Sequence, residues 1–311
     1  MRMLSYVFET TLSFSEPVSD HSFVLRCLPK STNTQKVMES QVFTHPRIPL
    51  AEQVDGFGNR IIVGYCPEAH DAFNFYATGI AMVEPEDAGP TPAHPMYLQT
   101  TRLTMPDDAL RKVAHEVRDA AAGAGVGNSP ACEPDVSRET SGGGSAVATS
   151  AAVSDAAADD AAPAPDAWAL AQRLSARVFA AFEYAPGSTD TTTTAAEAFA
   201  GGRGVCQDYA HVLITLCREL GIPARYVTGL MVGEGATHAW VEVHDGERWR
   251  GVDPTHNCVV DDRYLLFSTG RDFEDCPIER GMFRGNAEQT QRVSASLGDD
   301  APAVNATKFK H

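Results

Sequence analysis

Nowhere in the chain do about 18 apolar residues follow one another, so no segment has the length and hydropathy of a membrane-spanning helix. The opening MRMLSYVFETTLSF also lacks the apolar centre of a secretory signal and alternates like a strand, which sets the expectation of a cytoplasmic protein. Basic residues are few: 25 Lys and Arg stand against 41 Asp and Glu, for a net charge of -16. They form no cluster of the kind that holds nucleic acid or an anionic bilayer, so neither is expected as a partner. Cysteine is sparse and irregular. Seven residues with no CxxC pair argue against structural zinc and against a disulfide framework. The closely spaced acids of a calcium loop are missing too, and no metal or cofactor is expected.

What is present is core-forming material: 43% of 311 residues are hydrophobic, enough for two domains of ordinary size. From Tyr6 to Val83 the runs YVFETTLSF, HSFVLRCL, QKVMESQVF, PLAEQVD, RIIVGYC and AFNFYATGIAMV alternate and are rich in β-formers, with turn residues such as Asp55-Gly56-Phe57-Gly58-Asn59 between them. An all-β, sandwich-like N-terminal domain over 1–84 follows from that spacing.

Residues 85–122 read as a linker with several prolines followed by a helix, with Thr104 as N-cap and an end near Ala121. Residues 123–166 are dominated by Ala, Gly, Ser, Asp and Pro and cannot bury enough apolar surface to offset ordering entropy; a disordered insertion is expected there, and Cys132 within it is given no role. Order resumes over 167–290. Trp168, Ala171, Leu174, Val178 and Phe182 recur at helical spacing as a core stripe. Thr194 is placed to cap a short helix that Gly201, Gly202 and Gly204 end. Residues 291–311 read as a flexible tail.

The chemistry concentrates in Gly201 to Asn257. Cys206 opens a helix running to Leu220, with Gly221-Ile222-Pro223 as its stop. Free backbone N–H groups and the positive end of the dipole at that position favour a thiolate, the nucleophilic form, and can bind a developing oxyanion. ARYVTGLM and THAWVEVH alternate like strands, and Asp245-Gly246 is a strong hairpin signal. A two-residue turn there sets His244 opposite Glu247 and, counting outward, His238 opposite Asp253. Facing side chains in such a pair have Cβ atoms about 5 Å apart, so the carboxylate can orient the imidazole.

GRGVCQDYAH, THAWVEV and GVDPTHN resemble the three motifs of the transglutaminase-like superfamily in its bacterial branch. LRCLP and DGFGN resemble the β-rich N-terminal region that accompanies such domains, and FRGNAEQTQRV resembles their C-terminal end. The resemblance implies an α+β, papain-like transglutaminase core, a helix-borne Cys against an antiparallel sheet, behind the all-β domain. It also implies Cys206 as nucleophile, His238 as base and Asp253 as orienter of a thioester acyl transfer on a peptide or protein substrate. The bacterial branch points to hydrolysis, as a cysteine peptidase or amidase. A transglutaminase with an amine acceptor and a catalytically silent scaffold of the same fold stay open.

Neighbouring residues have plainer readings. Gln207, Tyr209 and Trp240 are candidates for the oxyanion site or the cleft, although packing accounts for Tyr209 and Trp240, and for Trp249 on the same hairpin face, without any substrate. Asp208 suits the dipole as a structural cap. His211, five residues beyond Cys206, projects from another side of the helix and reads as a polar or packing residue. Cys217 reads as core, and His256 and Asn257 as turn residues. Cys206, His238 and Asp253 could ligate zinc with a water. A thiolate with an ordered His and Asp explains the same set without metal.

Overall fold

The computed structural model describes residues 1–84, 89–122 and 166–299. The expected insertion, with Cys132, and the end of the expected tail lie outside them.

The N-terminal region is built on β1 (Arg2–Leu25), in which Leu4, Tyr6, Phe8, Leu12 and Phe14 fall on one buried face, the period of two that alternation predicts. The first two runs of the sequence thus form one strand of 24 residues, with a register shift after Ser13. Its first part lies between β5 (His70–Val83) and β14 (Gln289–Gly298), its last part between β4 (Arg60–Cys66) and β13 (Glu279–Arg284). β2 (Gln35–His45) and β3 (Leu50–Val54) close the two outer edges. The sandwich-like β domain therefore takes two strands from beyond the sheet of the second half, and the tail expected from residue 291 carries an ordered strand through Gly298. Apolar residues at Val293, Ala295 and Leu297 alternate there, a pattern short enough to be read as fraying.

Among the described residues, the second half has four α-helices on one face of an antiparallel sheet. α1 (Asp108–Ala122) starts later than Thr104 suggests: the Asp107 carboxylate accepts from Leu110 N, while Thr104 bonds to Thr101. Pro106 explains the delay, because the residue before a proline is pushed out of the helical region. α2 (Ala167–Ala181) is capped by Asp166, and α3 (Ala195–Gly201) by a reciprocal Thr194–Glu197 box, with Gly202 at positive φ ending it. A two-strand parallel pairing of β6 (Glu183–Tyr184) with β7 (Arg203–Gly204) then delivers the chain to α4 (Cys206–Glu219).

α4 is the central helix, buried from Asp208 to Arg218 among α1, α2, α3 and the sheet. Its far end is held by Arg218, a buried guanidinium that donates to Tyr97 O, Thr104 Oγ1, Ala224 O and Arg271 O. The sheet runs in the order β11 (Cys258–Val259), β10 (Trp249–Asp253), β9 (His238–His244), β8 (Ala224–Met231), β12 (Tyr264–Gly270). Ala239, Val241, Val243 and Val252 pack toward the helices, whereas Leu230, Leu265 and Phe267 join the core of the β domain. No helix among the described residues is long and apolar enough to cross a membrane.

The hairpin differs from its expected register. His244 pairs with Trp249, not Glu247, and Asp245 N donates to Arg248 O, so the turn is centred on Gly246-Glu247. Asp245 acts one position earlier than expected: its carboxylate accepts from Glu247 N and Arg248 N, and Gly246 takes the positive φ of 111°. The slip is two residues, so every side chain keeps its face.

Candidate active site

Asp208 sets the start of α4. Its Oδ2 accepts from Val205 N at 2.7 Å and from Thr189 Oγ1 at 2.6 Å, as the cap reading anticipates. A Cβ on Gly204 would lie 2.6 Å from that oxygen, so only glycine lets the chain pass here. Burial raises the Asp208 pKa against the pull of these hydrogen bonds. Cys206 is left in the first turn, partly buried, with Gln207 half-buried beside it.

His238 opens β9 and Asp253 ends β10. Continuing the observed register puts Asp253 opposite Trp240, and it reaches His238 as a diagonal neighbour: His238 Nε2 donates to Asp253 Oδ2 at 2.7 Å. Cys206 lies close enough to act on the charge of the same imidazole. The structure thus brings together the three residues expected of a triad.

Asp253 is fully buried and satisfied. Oδ2 also accepts from His256 Nδ1 at 2.7 Å and from Tyr264 Oη at 2.9 Å, and Oδ1 accepts from Thr255 N at 2.8 Å. Burial alone would raise its pKa, but the charges and hydrogen bonds of His238 and His256 hold it far below the carboxylate range. Burial would lower the pKa of His238. The Asp253 charge and hydrogen bond, helped by Cys206, overcome this and raise it well above 6.5. His238, Asp253 and His256 are close enough together to chelate a cation. A cation on Oδ2 would have to displace three donors, and the hydrogen bonds already account for the cluster.

His256 and Tyr264 are the site residues that sequence reasoning did not assign. The turn reading of its neighbour Asn257, at φ 53°, is right, but the same turn swings His256 back onto the aspartate three residues earlier. Tyr209 and Trp240 are both buried, Tyr209 against Phe182 and Trp240 against Tyr264, with Trp240 stacked 6.2 Å from His238. Bulky aromatics on these faces close the core. His211 is neutral and structural; its Nε2 accepts from Phe273 N, and burial pushes its pKa down to about 3. A cavity of about 750 Å³ lies on the sheet face carrying Trp240, Glu242 and Trp249. Neither Cys206 nor His238 lines it, so it is separate from the reacting atoms.

Residues 155–254 match the model of the transglutaminase-like superfamily, and residues 4–82 match that of the bacterial transglutaminase-like N-terminal region. Together the two span more than half of the chain. The chain belongs to the transglutaminase-like superfamily. An uncharacterized protein of Mycobacterium tuberculosis is 36% identical over 133 residues, covering 38% of this chain and 42% of its own length. An uncharacterized protein of Mycobacterium leprae is 35% identical over 113 residues, 33% of this chain and 40% of its own. The matched part is thus less than half the length of these relatives. Among solved structures, a candidate cysteine protease from Cytophaga hutchinsonii superposes with a TM-score of 0.66 at 20% identity, over 96% of this chain and 91% of that one. At that identity the likeness concerns the fold. The transglutaminase-like match ends at residue 254, so Asp253 falls inside it while His256 and Tyr264 fall beyond.

Proposed function

We propose that this transglutaminase-like protein is a thiol-dependent acyl-transfer enzyme acting on peptide or amide bonds, with water as the acceptor. The observation that carries this reading is the pairing of a partly buried thiol at a helix start with a buried His–Asp pair at 2.7 Å. In this reading the Cys206 sulfur attacks the carbonyl carbon, and N–H groups of the first turn of α4 stabilise the oxyanion. The imidazolium of His238 gives its proton to the departing amine, leaving a thioester. Water then adds to the thioester with neutral His238 taking its proton, and the acid product leaves the regenerated thiol. Asp253 keeps Nε2 protonated throughout, so Nδ1 is the nitrogen that exchanges protons with sulfur and substrate.

Iodoacetamide labelling of Cys206 near neutral pH tests the activated thiol. The expected rate is well above that of a small free thiol and drops to that level in His238→Ala; equal rates in both would overturn the reading. Incubating wild type and Cys206→Ala with a peptide library and a labelled primary amine then distinguishes cleavage from amine incorporation.

A further inference from the structure

Two exposed groups stand around Cys206 that the proposed chemistry does not use. Tyr184 pairs with Gly204 across β6 and β7, two residues before the cysteine, and its side chain is nearly half exposed. Glu234 lies in the loop between β8 and β9, flanked by Gly233 at φ 97° and by Gly235, whose carbonyl accepts from Ala295 N. That bond seats the loop on β14. Glu234 Oε1 is 3.9 Å from His256 Nε2, too long for a hydrogen bond, and its side chain is 41% exposed.

These contacts connect both groups to the surroundings of the thiol. Cys206 acts on the charge of His238, the His238 and His256 rings are 5.2 Å apart, and His256 borders Glu234 at 3.9 Å. Glu234 and Cys206 in turn both act electrostatically on the Tyr184 hydroxyl, which burial and these charges push up to about 12. Tyr184 therefore keeps its proton and presents a neutral ring. The nearby cation, Arg203, is paired with Glu183 at 3.5 Å. An aromatic face on the strand paired with the one that leads to Cys206 and a carboxylate beside the His256 that neighbours His238 suit an ammonium or guanidinium, which gains a cation–π contact from the first and Coulomb attraction from the second.

We propose that Tyr184 and Glu234 form a cation-accepting subsite, so that the preferred substrate carries a lysine- or arginine-like side chain next to the amide that Cys206 attacks. The substrate class rests on the acyl-transfer reading, but the charge preference can be read without turnover. A positively charged methanethiosulfonate (trimethylammonioethyl) and a negatively charged one (sulfonatoethyl) each convert a thiol to a mixed disulfide with loss of methanesulfinate. Their rates at Cys206, followed by peptide mapping with Cys206→Ala as blank, give a cation-to-anion ratio, normalised to 2-mercaptoethanol. Glu234→Gln should lower the ratio about fivefold and Glu234→Lys more, the size expected of one nearby, partly screened charge. Glu247→Gln removes the same charge at the far end of the hairpin and should leave the ratio unchanged. An equal ratio in wild type and both Glu234 variants, or an equal drop in Glu247→Gln, overturns the subsite. Peptides with Lys or norleucine beside the scissile amide supply the second arm: Glu234→Gln should raise KM for the Lys peptide alone, with kcat kept. A labelling preference without turnover of any peptide sinks the acyl-transfer reading and leaves the subsite standing.

Discussion

His238 and His256 share one oxygen of Asp253, each donating to Oδ2 at 2.7 Å. One carboxylate therefore holds two imidazoles, one against the thiol and one toward the open loop. His256→Ala should slow iodoacetamide labelling of Cys206 about fivefold through loss of positioning, a modest effect beside the 10²–10⁴ typical of a proton-transferring residue such as His238. His256→Asn, which keeps a donor on the aspartate, should recover most of the rate. Full activity in His256→Ala would show that Tyr264 and the Thr255 amide suffice.

Asp253 and His238 shift in opposite directions, and each has its own pH window. The folded state holds the His238 proton more tightly than the unfolded chain, so its contribution is complete below pH 6.5 and fades as pH rises through the raised value. The lowered Asp253 contributes above pH 3.8 and loses its effect as pH falls below that. Urea midpoints should therefore show the pair's full contribution between those two values. In Asp253→Asn the carboxylate charge is gone and burial dominates, so the His238 ring should titrate below 6.5 by NMR. A ring that still titrates above 6.5 would mean that Cys206 alone sustains the shift.

His211 should make the helical half labile to acid. Its folded pKa of about 3 lies below the ordinary 6.5, so between these values the unfolded state binds the extra proton and stability drops as pH falls. The loss is on the order of a few kcal/mol for a buried neutral histidine. His211→Gln, whose carbonyl can still accept from Phe273 N, should flatten the slope of stability between pH 6 and 4, as read from urea unfolding at each pH. A slope unchanged in the variant would place the acid sensitivity elsewhere, for instance at His21, a buried histidine of the β domain whose pKa is lowered to about 4.

Gly229 pairs with His238 across β8 and β9. A Cβ there would sit 2.1 Å from Leu265 O and 2.5 Å from the Trp240 ring, and the carbonyl cannot yield because it belongs to β12. Gly229→Ala should destabilise the protein by about 3 kcal/mol or more, the scale of overpacking in a closed core. Thermal unfolding measures it. A variant of wild-type stability would show that the three strands can part at this point.

Much of the site was legible because it rests on local signals. A helix start after glycines, a strand led by His-Ala-Trp and an Asp-Pro-Thr turn each occupy a few residues, and a two-residue error in the hairpin still put His238 and Asp253 on one face. The register itself was not legible, because Asp-Gly can serve as the centre of a turn or as its first corner, and the Asp245 side chain selects the second by accepting from two amides. Tyr264 was out of reach for another reason. It arrives on β12, which pairs with β8 rather than with its neighbours in sequence, and nothing local announces that partner. The long β1 was likewise divided in reading because Glu16, Pro17 and Asp20 look like a turn, where the strand instead shifts register and continues.

The pairing of Tyr6 with Leu297 has a consequence for how the chain is made. During synthesis β1 emerges first, yet the strand that covers one of its edges is translated only after the whole sheet of the second half. Until then a long row of unpaired backbone groups stays open to any other extended chain. A fragment ending near residue 84 would keep that edge for good and should self-associate, so the two halves, separable as sequence motifs, are one unit for folding.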